Sequence, residues 1–145
     1  MSIDPSPLDR SFVALFLAWL VALSATLGAL FVGEVLGQTP CLLCWYQRIA
    51  MFPLALILGI ACLRDDGGIR IYAMPAALAG AAIATWHSLV YFDVAPAGIA
   101  PCGQGPSCQG ADMTLFGSLP LPVLSLGAFA AILLLLSIGR RSPEQ

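Results

Sequence analysis

Two cysteines three residues apart, Cys41 and Cys44 in TPCLLCWYQRIAMF (39–52), stand where a long apolar run begins. Gln47 and Arg48 follow within about one helical turn of Cys44. A second pair, Cys102 and Cys108, lies in the segment PAGIAPCGQGPSCQGAD, rich in glycine and proline. Thiols grouped in this way support three kinds of chemistry: structural disulfides, thiol–disulfide exchange, or a thiolate metal site. Rings this short remove little entropy from the unfolded chain, so they make poor staples. A C-x-x-C at a helix N-terminus is also the arrangement that lowers a thiol pKa and makes it reactive. Four thiolates in two pairs permit zinc, but C-x5-C is an unusual zinc spacing, and no metal is expected.

The elements that position these thiols follow from composition. The chain has 145 residues, 59% hydrophobic and only 10% charged, with a mean hydropathy of +0.91. Soluble domains carry roughly 25% charged residues, so this chain has too little polar surface for a water-facing globule. It reads as an integral membrane protein, all-α, with one compact four-helix bundle. The net charge of −2 and the absence of lysine leave no basic patch for a nucleic acid.

Four apolar segments span about 12–32, 44–63, 71–92 and 119–138. Each is near the ~20 residues a helix needs to cross the hydrocarbon. The first is too long for a removed signal peptide and lacks a cleavage signature after it, so it is expected to remain as a helix. Arg10, Arg64, Arg70, Arg140 and Arg141 all fall on one side if the helices alternate. The outer loops, about 33–43 and 93–118, contain no Lys or Arg. The positive-inside rule therefore predicts both termini in the cytoplasm.

On this topology Cys41, Cys44, Cys102 and Cys108 share the outer side. Cys62 is eighteen residues past Cys44, ~27 Å along one helix. Disulfides need Cα atoms within about 7 Å, so Cys62 cannot pair with Cys44 and reads as a small buried apolar residue. A helix starting near Cys41 points free N–H groups and the positive dipole end at both thiols. Arg48 shares a face with Cys44. It either anchors at the interface or offsets negative charge on Cys44 and donates to a polar ligand headgroup, with Gln47 as a further donor. Trp45 and Tyr46 read as interfacial aromatics. His87, the only histidine, falls at a similar depth and faces either the interface or the same site. The second outer loop is expected to be exposed and mobile. Met113, Leu115 and Phe116 are candidates for the interface before the last span, where Pro120 and Pro122 interrupt regular helix.

The stretch PCLLCWYQRIAMFPLALILGIA, four spans and a second outer cysteine pair resemble the disulfide bond formation protein B family, and most closely its short BdbC-like members. The resemblance covers about residues 12–140. It implies an enzyme of disulfide formation and protein folding in the bacterial inner membrane, a protein dithiol:quinone oxidoreductase. It implies that Cys41–Cys44 is the quinone-proximal pair and Cys102–Cys108 the partner-facing pair. It further implies a charge-transfer contact of Cys44 with the quinone ring, with Arg48 as the quinone-side arginine and His87 as a weaker match near that site; Gln47 joins them as a cofactor-binding candidate by its spacing alone. The implied acceptor is ubiquinone or menaquinone. The implied partner is a soluble, extracytoplasmic thioredoxin-fold oxidase, DsbA-like. The loop cysteines are only six apart, which fits the short subgroup. Electrons would pass from partner dithiol to the loop pair, then to CLLC, then to quinone.

Three other readings compete. A reductive variant would draw electrons from the cytoplasm through a cysteine relay, for which Cys62 is too distant and too solitary. A vitamin K epoxide reductase-like protein uses similar parts, but its loop cysteines precede the membrane C-x-x-C, whereas CLLC comes first here. A non-catalytic membrane module with two structural disulfides predicts that Cys44→Ser changes stability and no electron flow.

Overall fold

The computed structural model describes residues 7–95, 114–115 and 118–139. Four helices carry the chain: α1 (Pro7–Leu30), α2 (Leu42–Arg64), α3 (Arg70–Tyr91) and α4 (Leu121–Ile138). All four are long and apolar enough to cross a membrane. The fold is the all-α four-helix bundle expected from the apolar runs. Each helix packs against its two neighbours, and α4 closes the ring on α1.

The bundle is built with small residues facing inward, as helices in lipid require for close approach. On α3 the buried positions include Ala73, Ala77, Gly80 and Ala84, a stripe at helical spacing. On α1 they are Ala14, Leu15, Ala18 and Ala22. The buried large residues of α4, Phe129, Ile132 and Leu136, fill the grooves these leave. The Phe129 ring occupies the space where a side chain on Gly80 would lie. Leu56, Leu63, Leu78 and Leu134 point outward and are exposed. Exposed leucines in a ring around small buried residues suit lipid on the outside.

Local chemistry sets the helix ends. Past Leu30, α1 widens into a π-turn, Phe31–Val35, and the Leu36 N–H reaches back to the Phe31 carbonyl at 3.1 Å. The first span thus continues to Val35, beyond the apolar run read as ending near Val32. The hydrogen bonds of the widened turn carry it through polar Glu34. After α2, Asp65 takes a left-handed conformation (φ 49°), which aspartate tolerates better than most residues. Asp66 then accepts from the Gly68 N–H at 2.9 Å, and a 3-10 turn (Gly67–Ile69) leads into α3. Buried Arg70 donates to the Ser11 carbonyl and hydroxyl at 3.1 and 3.0 Å, tying α3 to α1.

Pro53 and Pro75 lie inside α2 and α3, on exposed positions; helices in lipid tolerate the lost hydrogen bond. Before α4, β1 (Thr114–Leu115) and β2 (Leu119–Pro120) form a short antiparallel pair. Pro120 is the N-cap of α4 and Pro122 lies in its first turn, where a missing N–H costs nothing.

Candidate active site

Cys41 is the N-cap of α2, with extended backbone (φ −69°, ψ 169°). Pro40 precedes it and disfavours helical backbone at Thr39. The Cys44 N–H donates to Cys41 Sγ at 3.4 Å, and the two sulfurs lie 3.2 Å apart in hydrogen-bond contact. That is a little over an ångström beyond a disulfide bond of ~2.05 Å. Cys41 is fully buried and Cys44 partly so. The side chain of Cys44 holds the Cys41 thiol well below its ordinary pKa. His87 and the Cys44 N–H act in the same direction, and burial opposes them.

His87, on the last turns of α3, is buried completely. Its Nε2 stands 3.7 Å from Cys41 Sγ. Its Nδ1 is 3.1 Å from Nε2 of Gln47, which is also buried. The Ser125 hydroxyl of α4 lies 2.7 Å from Gln47 Oε1. A polar chain therefore runs from α4 through α2 and α3 to the first cysteine.

On the other side of Cys44 lies a cavity of about 690 Å³, walled by α1, α2 and α4. Val21, Ala25 and Gly28 of α1 and Leu124 and Ala128 of α4 make it apolar, while Cys44, Gln47 and Arg48 give it one polar edge. Arg48 Nη2 donates to the Ala29 carbonyl at 2.8 Å. Its guanidinium also sits 5.7 Å from the centre of the Trp45 ring, within cation–π range. A Cβ on Gly33 would come within 3.1 Å of that guanidinium, so the glycine leaves room for it.

The structure thus gathers Cys41, Cys44, Gln47, Arg48 and His87 at one end of the bundle. His87 is set behind the thiol pair, against Cys41 and Gln47, and is not part of the cavity wall. Cys102 and Cys108 lie outside the described residues, as do Met113 and Phe116. Cys62 is on the last turn of α2, at the opposite end. Sequence reasoning missed Ser125 and the Ala29 carbonyl. Ser125 had a signal, since it is the only polar side chain between Leu121 and Leu136. The Ala29 carbonyl had none, because any residue offers one.

A thiol pair at a helix start, a cavity beside it and four apolar helices suit thiol exchange in a membrane. The family model described as "Disulfide bond formation protein DsbB" matches residues 10–139. The chain belongs to this family. Family membership makes it a multi-pass membrane protein of disulfide formation, an oxidoreductase role. It is similar to the "Probable disulfide formation protein" of Metapseudomonas resinovorans, 54% identical over 139 residues, covering 95% of this chain and 96% of the relative. It is also similar to "Disulfide bond formation protein C" of Bacillus subtilis (strain 168), 42% identical over 131 residues (90% and 95%). A "Probable disulfide formation protein" of Deinococcus radiodurans is 44% identical over 135 residues (88% of each chain). No solved structure matches.

Proposed function

We propose that the chain is a protein dithiol:quinone oxidoreductase that reoxidises a soluble extracytoplasmic thioredoxin-fold oxidase, DsbA-like in kind. The observation that carries this reading is the apolar cavity of about 690 Å³ that meets Cys44 at its polar edge. Thiol exchange only moves disulfides, so new ones need an oxidant from elsewhere. The donor set fits a ubiquinone or menaquinone: apolar walls suit its ring and tail, and Arg48 and Gln47 suit its carbonyl oxygens. Bound there, a quinone supplies the acceptor for the electron pair released when two thiols become a disulfide.

The chain's own residues prepare the sulfurs. The start of α2 stabilises a thiolate at Cys41 through its free N–H groups and dipole. Arg48 adds positive charge on the cavity side of Cys44. Cys41 packs with Val90 and Ala95, and Ala95 is the last described residue before the segment bearing Cys102 and Cys108. Cys102 is seven positions beyond Ala95, a span of up to ~25 Å when extended, enough to reach back to Cys41. This supports Cys102–Cys108 as the pair that meets the partner and returns electrons to Cys41–Cys44. The arginine pattern supports both termini in the cytoplasm and the thiols on the outer side of an inner membrane.

Gly28 gives a direct test. A Cβ there meets nothing within 4 Å, so Gly28→Leu puts a side chain into the cavity without backbone strain. Quinone reduction should fall at least severalfold. A single turnover of partner oxidation by the pre-oxidised protein should be unchanged. Equal loss of both, or loss of neither, contradicts the assignment of the cavity.

A further inference from the structure

We propose that Gln47 and Ser125 form an amide switch that sets which ring nitrogen of His87 holds the proton, and so whether His87 solvates or deprotonates Cys41. This rests on the reading of Cys41 as a reacting thiol, but not on the identity of the oxidant.

His87 and Gln47 are withdrawn from solvent, 0% and 8% exposed, so their polar atoms must satisfy one another. In one arrangement the Ser125 hydroxyl donates to Gln47 Oε1 (2.7 Å) and the Gln47 amide donates to His87 Nδ1 (3.1 Å). A neutral ring that accepts at Nδ1 carries its hydrogen on Nε2. That hydrogen faces Cys41 Sγ at 3.7 Å, where it solvates a thiolate.

The same atoms support the opposite polarity. The Ser125 hydroxyl also lies 3.0 Å from the Pro122 carbonyl. When it donates there, its oxygen is free to accept from a Gln47 amide turned by half a rotation. Gln47 Oε1 then faces Nδ1 and accepts its hydrogen, leaving the Nε2 lone pair towards Cys41. The Cys41 S–H proton passes to Nε2, giving a thiolate and an imidazolium whose Nδ1–H bonds to Gln47 Oε1. One proton moves from sulfur to nitrogen and no electron is transferred. A side chain that only donates or only accepts at position 47 would fix one of these states. Glutamine serves both.

The charged surroundings are sparse. From α2 the titratable or charged groups at this end are Cys41, Cys44, Tyr46 and Arg48; Tyr46 is exposed and Arg48 is turned to the Ala29 carbonyl. Helix α3 adds Tyr91, which packs against the cluster that holds Cys41. Helix α4 presents Ser125, which is uncharged. Glu34 on the π-turn and Asp93 beyond α3 are exposed. Among the described residues, Gln47 is thus the group that bonds the far nitrogen of the ring.

The test uses the full chain in detergent, reduced, with Cys44→Ser, Cys62→Ala, Cys102→Ser and Cys108→Ser, so that thiolate ultraviolet absorbance reports Cys41 alone. No quinone or partner is present, so failure of the quinone reading would leave this result intact. Gln47→Leu should raise the titration midpoint of Cys41 by about one pH unit, the scale of a hydrogen bond to a charged group. Gln47→Glu, which keeps an acceptor for Nδ1–H, should not raise it. Ser125→Ala should shift it in the direction of Gln47→Leu, by less. Superimposed curves for the parent and Gln47→Leu overturn the proposal, as does an equal rise with leucine and glutamate. If Gln47→Leu fails to fold, selective ¹⁵N-histidine labelling decides, because the chain has one histidine. Gln47→Glu should move the ring proton from Nε2 towards Nδ1, and unchanged ring signals overturn the switch.

Discussion

The Arg48 guanidinium donates to the Ala29 carbonyl at 2.8 Å, bridging α2 to α1 at the polar edge of the cavity. One bond therefore fixes a charged side chain that would otherwise snorkel freely. It aims the positive charge at the cavity from a position one turn beyond Cys44. Arg48→Ala should raise the KM for quinone about tenfold, the scale of one lost hydrogen bond to a charged group. Single-turnover oxidation of a partner by the pre-oxidised protein should change much less. Steady-state quinone kinetics beside a quenched thiol assay would separate the two, and equal losses would contradict this division of labour.

Gly33 supports the same arginine by having no side chain. A Cβ there falls 3.1 Å from Arg48 Nη2, so the guanidinium must give way by a few tenths of an ångström. Gly33→Ala should therefore raise the quinone KM in the direction of Arg48→Ala, by a smaller factor. In the Arg48→Ala background it should add nothing further. An independent, additive effect in the double variant would show that Gly33 acts elsewhere.

The contact of Phe129 with Gly80 predicts a stability effect away from the site. Gly80→Ala should overpack the α3–α4 seam and cost about 1–3 kcal/mol. Phe129→Ala should leave a cavity and cost about 3–5 kcal/mol. Phe129→Leu should partly relieve Gly80→Ala, so the double variant is less destabilised than the sum. Thermal unfolding in one detergent measures all of these. Strict additivity would contradict the contact.

Cys41 also predicts a pH dependence. Its folded thiol titrates below its unfolded value, so the unfolded chain binds more protons between the two. Stability of the reduced protein relative to Cys41→Ser should rise with pH through that window. The contribution should be complete only near the ordinary thiol value, at about pH 8.5, and should be lost as pH falls through the folded value. Paired unfolding measurements from pH 5 to about 8 would reveal it. A flat difference would contradict a depressed Cys41.

The bundle was legible because each apolar run is long enough to span and is broken by turns such as RDDGGIR. Cys41, Cys44, Gln47 and Arg48 were legible because one helix holds them at fixed spacing, so the sequence alone places them together. His87 was half legible. Its depth along α3 follows from counting residues, but its face, behind the thiols, depends on how α3 rolls against α2. Ser125 and the Ala29 carbonyl depend on registration between helices, which no local pattern encodes. The π-turn at Phe31–Val35 likewise leaves no mark in the apolar pattern.

Electrons from a partner's thiols should leave through Cys44 to a quinone. The most direct measurement follows quinone absorbance and partner thiols together, using the purified protein, a reduced thioredoxin-fold oxidase and a soluble quinone. Wild type should consume one quinone for each disulfide formed, and Cys44→Ser should do neither. Thiols and quinone left unchanged by wild type across a range of partners, with Cys44→Ser altering only stability, would make the cysteines structural and contradict the account.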